Sequence, residues 1–458
     1  MSPGSGRAHA LPWILAALFT ATYATLAVAR YRGFFWSSWD LAIFTEVVAH
    51  YGHLQAPIAE VKGAGFNFLG DHFSPVLAVL GPLYRVFPSP VTLLVAHSVL
   101  LGVSVVPVVR LALRRLGASA AAIVGVAYGV SFGLTQAVQV DFHEVAFAVP
   151  LIAFAAAALA EERWRAAIAW SAPLVLVKED LGATVAVVGL LVAAPWRRPW
   201  LEQDHARRLA GLGLAAFGLA ASAIEVLVLI PHLAAGEGYE YFSKFGSDGP
   251  VGWATRARTT GRLLAVTAAV ALRSPIALLA VPTLAWRFAS DNPAYLGTDW
   301  HYDAVLMPVL FVALIDGVER LGRSTRRPLR WWGAAAIPLA AAVACASLPS
   351  SSLRQLTQSV LWRDSPHRAA LRHAVALVPP GASVESDLGA LSHLAGRNPA
   401  YWIGTPGIRP RYVVVDANTG WDPPAPKHLS GFLTRSHEGT DYRLIWSEQG
   451  VSVLERVG

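Results

Sequence analysis

The stretch LPWILAALFTATYATLAVAR, residues 11–30, decides the class of fold that this chain adopts. An α-helix needs roughly 20 apolar residues to cross a bilayer, and this stretch supplies them. A secretory signal peptide would be followed by a small-residue cleavage site, whereas RYRGFFW follows here. We therefore interpret residues 11–30 as a first membrane span that the protein retains.

The composition of the whole chain points the same way. Of its 458 residues, 54% are hydrophobic and 15% are charged, whereas a soluble domain carries about 25% charged residues. The net charge of +7 comes from arginines that flank apolar segments, and no basic stripe with interleaved aromatic residues suggests nucleic-acid binding. The single cysteine, Cys345, excludes an intrachain disulfide and a cysteine metal cluster.

Eleven apolar segments are predicted to span the membrane. They cover residues 11–30, 88–109, 118–139, 145–160, 166–177, 181–196, 209–231, 263–272, 275–288, 303–318 and 331–349. The short, arginine-rich connections all fall on the cytoplasmic side of the membrane if residues 1–10 form a cytoplasmic tail. The positive-inside rule then places the large loops 31–87 and 232–262, and the C-terminal residues, on the outer face of a plasma membrane.

Residues 351–458 have a different pattern, in which helix-like and strand-like segments alternate. RAALRHAVALVPPGASVES predicts a helix, a Pro-Gly turn and a short strand, and RYVVVDA predicts a buried strand. YRLIWSEQGVSVLERV predicts two strands joined at a Gln-Gly turn. The fold class is therefore an α-helical polytopic membrane protein of about eleven spans with a small C-terminal extracytoplasmic α/β domain.

Acidic residues and histidines concentrate in the loops assigned to the outer side. Some clusters interrupt apolar sequence almost without linkers, as DFHEV (141–145) and KED (178–180) do. An ionisable group at membrane depth costs about 2.5–3.5 kcal/mol and normally faces a cavity or a partner. A hydrated turn explains any one cluster, but a cavity open to the outer face explains all of them. Its predicted lining comprises Asp40, Glu46, Asp71, His72, Asp141, His143, Glu144, Lys178, Glu179, Asp180, His301 and Tyr302.

The sequence GDHFSP, residues 70–75, lies at the edge of this predicted cavity. Gly70 permits a sharp turn, and Pro75 is tolerated in the first turn of a helix that begins near Ser74. Asp71 is then either a cap for that helix or, together with His72, part of a substrate or metal site.

Two further features have structural interpretations. In the loop 232–262, Tyr239 and Tyr241 are predicted to lie at the membrane interface, with Arg256 and Arg258 meeting lipid phosphates. Glu225 is a lone carboxylate within the seventh predicted span, and a helix–helix hydrogen bond is the expected role for it.

Several motifs carry a resemblance to a known family. SSWDLAIFTEVV, DFHEVAFAVP, VKEDLG and DWHYDAVLMP are similar to motifs of a bacterial integral membrane family catalogued as domain of unknown function 2079. GDHFSPVLAVLGPLYRVFPSPVTLLVAHSVLL extends the resemblance into the second span, and PRYVVVDA extends it into the C-terminal region. The resemblance covers most of residues 30–320. It implies a membrane protein without assigning a reaction.

The layout also resembles that of the multi-spanning glycosyltransferases with the C-type fold. Those enzymes use polyprenyl-phosphate sugars outside the cytoplasm and carry an acidic motif in the first outer loop. HFSPVLAVLGPLYRVFPSPVTLLVAHSV is similar to the segment that follows this motif in that class. This chain departs from the class because it lacks an arginine early in the second span and because five residues separate Asp40 from Glu46. The likeness is architectural, so it implies a function only by analogy.

This resemblance implies a transferase that moves a sugar from a polyprenyl phosphate to an envelope glycan or protein acceptor. Asp40 is expected to be the general base, with Glu46, Asp71 and Glu179 as alternatives for the base or a metal ligand. The remaining expected roles are phosphate binding by His72, His143 or His301 and charge balance by Lys178, Arg256 and Arg258. A divalent metal, Mg²⁺ or Mn²⁺, is a candidate cofactor with Asp40, Asp71 and His72 as its ligands.

Two other functions fit the same residues. A transporter or channel would use the buried acids and histidines as a proton or cation pathway. Transporters often consist of repeated halves with broken helices, and no internal repeat stands out in this sequence. A non-catalytic envelope scaffold would tolerate the change of any one acid to its amide.

Overall fold

Most of the chain is helical. The computed structural model describes residues 3–35, 38–194, 205–234, 239, 241, 252–419, 429, 437 and 439–457. The helices are α1 (Pro3–Arg32), α2 (Asp40–Gly52), α3 (Gly81–Val86), α4 (Pro90–Leu116), α5 (Ala118–Gly129), α6 (Phe132–Gln139), α7 (Ala148–Ala160), α8 (Trp164–Ser171), α9 (Leu181–Ala193), α10 (His205–Ile224), α11 (Ile230–Leu233), α12 (Trp253–Ala265), α13 (Val281–Ala289), α14 (Pro293–Leu296), α15 (Leu306–Gly322), α16 (Arg327–Ser347), α17 (Ser359–Trp362), α18 (Pro366–Leu377) and α19 (Leu388–Leu394).

Five helical stretches of the described chain are long and apolar enough to cross a membrane. They are His9–Arg32, Pro90–Leu116, Ala118–Gln139, His205–Leu233 and Arg327–Ser350. Shorter apolar helices cover Pro75–Val86, Glu144–Ala160, Leu181–Ala193 and Pro275–Ala289. The sequence prediction of a polytopic helical protein is therefore confirmed.

The two shortest predicted spans are not continuous α-helices. The span predicted at 166–177 is α8 followed by a 3-10 turn at Ala172–Leu176, because Pro173 has no N–H with which to continue an α-helix. The span predicted at 263–272 is the end of α12 followed by a 3-10 turn at Val270–Arg273. Between the end of α12 and this 3-10 turn, Ala268 and Ala269 take positive φ angles, and the chain turns there.

A π-helical turn, Glu225–Leu229, joins α10 to α11. Pro231 in the first turn of α11 removes a backbone donor, and the hydrogen-bond ladder loosens before it. Glu225 is buried in this turn, and its Oε2 has no hydrogen-bond partner in the described chain. The helix–helix hydrogen bond predicted for Glu225 is thus not formed at that atom.

Helices α9 and α10 lie against each other along a line of glycines. A Cβ atom on Gly182 would lie 2.2 Å from the carbonyl oxygen of Gly218, and one on Gly189 would lie 2.4 Å from that of Gly211. Without side chains at these points the two backbones come into direct contact, as small residues allow in membrane helices. This packing sets the position of the α9 N-terminus and of the residues just before it.

The C-terminal part forms a five-stranded sheet with helices, as the sequence predicts. Its strands are β1 (Val384–Ser386), β2 (Ala400–Trp402), β3 (Tyr412–Asp416), β4 (Asp441–Glu448) and β5 (Val451–Val457), in the order β2-β1-β3-β5-β4. β1 is parallel to β2 and β3, whereas β5 is antiparallel to β3 and β4. Gln449 and Gly450 both take positive φ between β4 and β5, which suits the right-handed strand twist.

Glu46 on α2 joins the membrane-helix part to this sheet. Its carboxylate accepts a hydrogen bond from the N–H of Val61 at 3.0 Å and another from the N–H of Ala400 at 3.1 Å. Nearby, the His393 ring of α19 stacks on Tyr31 and Phe34 with centroid distances of 4.1 Å and 3.9 Å. The sheet is therefore docked on the loop that follows α1.

Substituting Glu46 with Gln is expected to change how stability depends on pH. Burial raises the pKa of the Glu46 carboxyl from 4.5 to about 8, outweighing the two N–H donors that favour the carboxylate. A raised folded-state pKa adds stability that is complete below pH 4.5 and is lost as pH rises towards 8. The free energy of unfolding should therefore fall by about 1.4 kcal/mol from pH 6 to pH 7 through this group.

Denaturant titrations of the detergent-solubilised protein at pH 6 and pH 7 measure this difference. Glu46→Gln should reduce the pH difference by about this amount, whereas Glu448→Gln, which removes a solvent-exposed carboxylate on β4, should leave it unchanged. The same pH difference in wild type and Glu46→Gln would contradict the assignment.

Candidate functional site

The loops at one end of the helices enclose a cavity of about 490 Å³. Its lining comes from the start of α2, the 62–72 region, the α6–α7 connection, the residues before α9, Tyr239 and Tyr241, and the 286–302 region. These segments are far apart in sequence and meet only because the helices between them return each time to the same end. The cavity brings together most of the acids and histidines that the sequence singles out.

Asp40 is the first residue of α2 and points into the cavity. Its Oδ2 lies 3.2 Å from Nε2 of His143, and the rings of His143 and His301 are 3.7 Å apart. Burial raises the pKa of the Asp40 carboxyl, but the hydrogen bond and charge of His143 outweigh this and hold it below its usual value. The Asp40 side chain is 28% exposed, so a carboxylate oxygen is accessible beside an imidazole.

Two lysines neutralise acids in the walls. Lys62 pairs with Asp71, and Lys178 pairs with Glu144 at 2.6 Å. Burial lowers the pKa of Lys178, but the nearby carboxylates, Glu144 foremost, raise it by a larger amount. The net pKa is raised, so the ammonium stays charged. The Asp71 and Glu144 side chains are only 6% and 2% exposed, so these pairs fix local charge in the wall.

His72, Glu179 and two tyrosines form a connected network. Nδ1 of His72 lies 3.0 Å from Oε1 of Glu179, which also accepts a 2.8 Å hydrogen bond from the Tyr239 hydroxyl. The Tyr241 hydroxyl lies 2.8 Å from Nε2 of His72, and the N–H of Phe73 donates to the second Glu179 oxygen. Burial and Lys178 lower the pKa of His72, but Asp71 and Glu179 outweigh them, so its pKa is raised and its cationic form is favoured.

His301 differs from His72 although both line the cavity. Burial, followed by the charge of His143, lowers the pKa of His301, so it remains a neutral imidazole. Burial also raises the pKa of Asp180 to about 6. The cavity therefore holds a cationic and a neutral histidine, and carboxylates with different affinities for protons.

A buried arginine positions the segment that carries His301 and Tyr302. Arg287 of α13 donates to Oδ1 of Asp303 at 2.7 Å and to the carbonyl oxygens of Tyr295 and Gly297 at 2.8 Å and 2.7 Å. Its guanidinium also lies 5.7 Å from the centre of the Tyr302 ring. These contacts hold the 295–303 segment against α13 and direct its aromatic residues to the cavity.

Ten of the predicted site residues line the cavity, and four do not. Those in the lining are Asp40, Asp71, His72, His143, Glu144, Lys178, Glu179, Asp180, His301 and Tyr302. The predicted role of Asp71 as a helix cap is wrong, because Ser74 is the residue before the 3-10 helix Pro75–Leu80 and Asp71 pairs with Lys62.

The other four predicted residues serve elsewhere. Glu46 bridges α2 to β2, and Asp141 is buried outside the cavity with a φ of 68°. Arg256 donates to the carbonyl oxygens of Phe288 and Ser290, and Arg258 is exposed on α12. The sequence places all four near the right loops. Helical phase turns Glu46 and the two arginines away from the cavity, whereas Asp141 lies in the connection between α6 and α7.

The sequence analysis missed several lining residues. Lys62 and Trp286 were not selected, and Tyr239 and Tyr241 were assigned to the membrane interface, whereas they bond to Glu179 and His72. Lys62 and its partner Asp71 are opposite charges in the same predicted outer loop, and this was the signal that could have found Lys62. The two tyrosines carry no such signal, since their partners are far away in sequence.

The described residues do not fit the metal site expected at Asp40, Asp71 and His72. Among the residues that the structure describes, no three His, Cys, Asp or Glu side chains converge to hold a metal ion. Asp71 is paired with Lys62 and His72 with Glu179, so neither is directed at a common point with Asp40.

Comparisons with known proteins agree with this architecture. A family described as "Predicted membrane protein (DUF2079)" matches residues 30–257 and 251–421. No curated protein matches the sequence significantly. ArnT from Cupriavidus metallidurans bound to undecaprenyl phosphate is similar in structure, with a TM-score of 0.57 and 12% identity over 97% of this chain and 98% of that chain. ArnT from the same organism in the apo state gives a TM-score of 0.53 and 13% identity over 99% of this chain and 98% of that chain.

Proposed function

The chain belongs to the DUF2079 family of predicted membrane proteins, and we propose that it transfers a sugar from a polyprenyl-phosphate donor to an envelope acceptor. The fold likeness to ArnT, whose structure was determined with undecaprenyl phosphate, supports a lipid-linked donor. We further propose that the N-terminus is cytoplasmic and that the cavity opens to the outer face of the plasma membrane, where such acceptors lie.

One observation carries this proposal: the Asp40 carboxylate is accessible in the cavity, whereas three other acids of the lining are nearly buried in ion pairs. Asp71, Glu144 and Glu179 are 1–6% exposed and are each held by a cationic partner. Asp40 is 28% exposed and lies beside His143. A general base must reach the proton that it accepts, and this geometry favours Asp40.

The reaction follows from these positions. Asp40 accepts the proton of an acceptor hydroxyl while that oxygen forms a bond to the anomeric carbon of the sugar. The bond between the anomeric carbon and the phosphate oxygen breaks on the opposite face, so configuration inverts and polyprenyl phosphate leaves as an anion. Lys62, Lys178 and His72 line the cavity and offer N–H donors to the leaving phosphate, while the acids paired with them balance their charge.

The remaining lining residues orient the sugar in this proposal. Tyr302 and Trp286 present aromatic faces, and His301 offers a neutral imidazole that can donate to or accept from a hydroxyl group. Buried polar groups matched to sugar hydroxyls reject analogues that lack them.

The full-length protein reconstituted in liposomes tests this function. A panel of labelled polyprenyl-phosphate sugars is supplied with envelope glycan acceptors, and release of free polyprenyl phosphate is followed. We expect turnover of at least one donor above that of protein-free liposomes. Proton or solute flux without turnover would instead indicate a transporter, and the absence of both activities would indicate a scaffold; either result overturns the proposal.

A further inference from the structure

A second cavity, of about 560 Å³, lies between the C-terminal half of α1 and the segment that forms α17 and the start of α18. We call it the arginine groove, because Arg32, Arg363, Arg368 and Arg372 line it. It shares no residue with the cavity that contains Asp40. The groove therefore needs an explanation of its own.

The floor of the arginine groove is apolar. It consists mainly of Ala24, Val28 and Ala29, which share one face of α1 with the lining residue Thr25, and of Leu361 from α17. This part of α1 belongs to a stretch long and apolar enough to span a membrane. Beside it, Trp362 is 55% exposed, as is typical of aromatic residues at the level of lipid headgroups.

The rim of the groove carries an excess of positive charge. Its one carboxylate, Asp364, pairs with Arg372. Arg368 donates to the carbonyl oxygens of Arg363 and Val360, and its guanidinium lies 4.5 Å from the centre of the Phe35 ring. Arg368 is thus fixed in place without a carboxylate partner in the described chain.

The other two arginines of the groove, Arg32 and Arg363, have guanidinium groups that are available to bind a ligand. Within the part of the chain that the structure describes, neither Arg32 nor Arg363 donates a side-chain hydrogen bond or forms an ion pair. Guanidinium groups match phosphate geometry because their paired N–H donors bind two oxygens at once. An apolar floor with such a rim has the shape and charge of a site for an amphiphile with an anionic headgroup.

We propose that the arginine groove binds an anionic phospholipid, with the acyl chains along α1 and the headgroup phosphate against Arg32 and Arg363. Clustered arginines beside a membrane helix attract anionic lipid headgroups through their charge. A bound lipid would also bridge α1 to α18, and so hold the sheet-containing part against the membrane helices. The groove shares no lining residue with the Asp40 cavity, so the proposal does not depend on the proposed transferase activity.

Native mass spectrometry of the full-length detergent-solubilised protein, titrated with phosphatidylglycerol, tests this proposal. The test variant is Arg32→Gln/Arg363→Gln, since neither side chain has a structural partner to lose. The matched control is Arg326→Gln/Arg327→Gln, which removes two exposed arginines at the start of α16. Phosphatidylcholine and sodium glycerophosphate are the comparison ligands.

We expect phosphatidylglycerol to bind wild type and control alike, and the test variant about twenty-five-fold more weakly, at about fivefold for each arginine. Phosphatidylcholine should bind more weakly than phosphatidylglycerol to the wild type. Equal affinity of test variant and wild type, or an equal loss in the control, would overturn the site. Glycerophosphate binding as tightly as the lipid would show that the apolar floor contributes nothing, and would overturn the lipid as ligand.

Discussion

Asp40→Asn is expected to lower the rate of sugar transfer by about 10²–10⁴-fold, the contribution of a positioned general base. Asparagine has nearly the same size as aspartate and still offers a carbonyl oxygen to Nε2 of His143. The cavity should therefore keep its shape and bind donor normally, while the acceptor hydroxyl loses the group that takes its proton. Single-turnover release of polyprenyl phosphate at saturating donor measures the effect on the chemical step.

Two controls make this result specific to Asp40. Asp441→Asn removes an exposed carboxylate on β4 and should leave the rate unchanged. Donor affinity, measured by direct binding, should change by much less than the rate. An Asp40→Asn protein that retains the wild-type rate would exclude Asp40 as the base, and an equal loss in affinity and rate would make it a binding residue.

Arg287→Met is expected to destabilise the protein by about 3–5 kcal/mol, because it leaves Asp303 as a buried carboxylate without its cation. Arg287 and Asp303 are 0% and 1% exposed, and Oδ2 of Asp303 has no other partner in the described chain. The carbonyl oxygens of Tyr295 and Gly297 lose their donor as well. Denaturant unfolding in detergent gives the free energy.

The ion pair of an exposed arginine, Arg323, provides the matched control for this substitution. Arg323→Met breaks the pair of Arg323 with Glu319 one helical turn away, and a cost of only about 0.3–0.5 kcal/mol is expected. The double variant Arg287→Met/Asp303→Leu should recover part of the loss, since no charge remains buried. Equal losses in Arg287→Met and Arg323→Met would contradict the role given to the buried pair.

The helical architecture was predictable because it depends on local sequence. Runs such as 88–109 must be helical in a membrane, since each backbone donor and acceptor needs a partner within the segment. The sheet was predictable for a similar reason. The Gln-Gly turn between β4 and β5 and the apolar positions on β5 are local sequence signals. The positions where α8 and α12 end were not predicted, because single prolines and backbone reversals decide them.

The cavity was predicted from its chemistry rather than its geometry. Carboxylates and histidines in otherwise apolar sequence indicate a polar enclosure, and the structure brings Asp40, His72 and His143 together. Which side chain faces inwards depends on tertiary packing. Glu46, six positions along the same helix from Asp40, bonds instead to the backbone of β2. Tyr239 and Tyr241 are amphipathic, so their composition suits either an interface or a polar network.

The hydrogen bond from Ala400 to Glu46 has a consequence for biosynthesis. The two residues are 354 positions apart, and a ribosome that adds about 5–20 residues per second needs roughly 20–70 s to cover that distance. During this interval α2 has emerged while one of the donors to its buried carboxylate does not yet exist. Helix α2, which begins at Asp40, thus gains its last tertiary hydrogen bond only late in translation, and a nascent chain that stops before β2 leaves Glu46 only partly bonded.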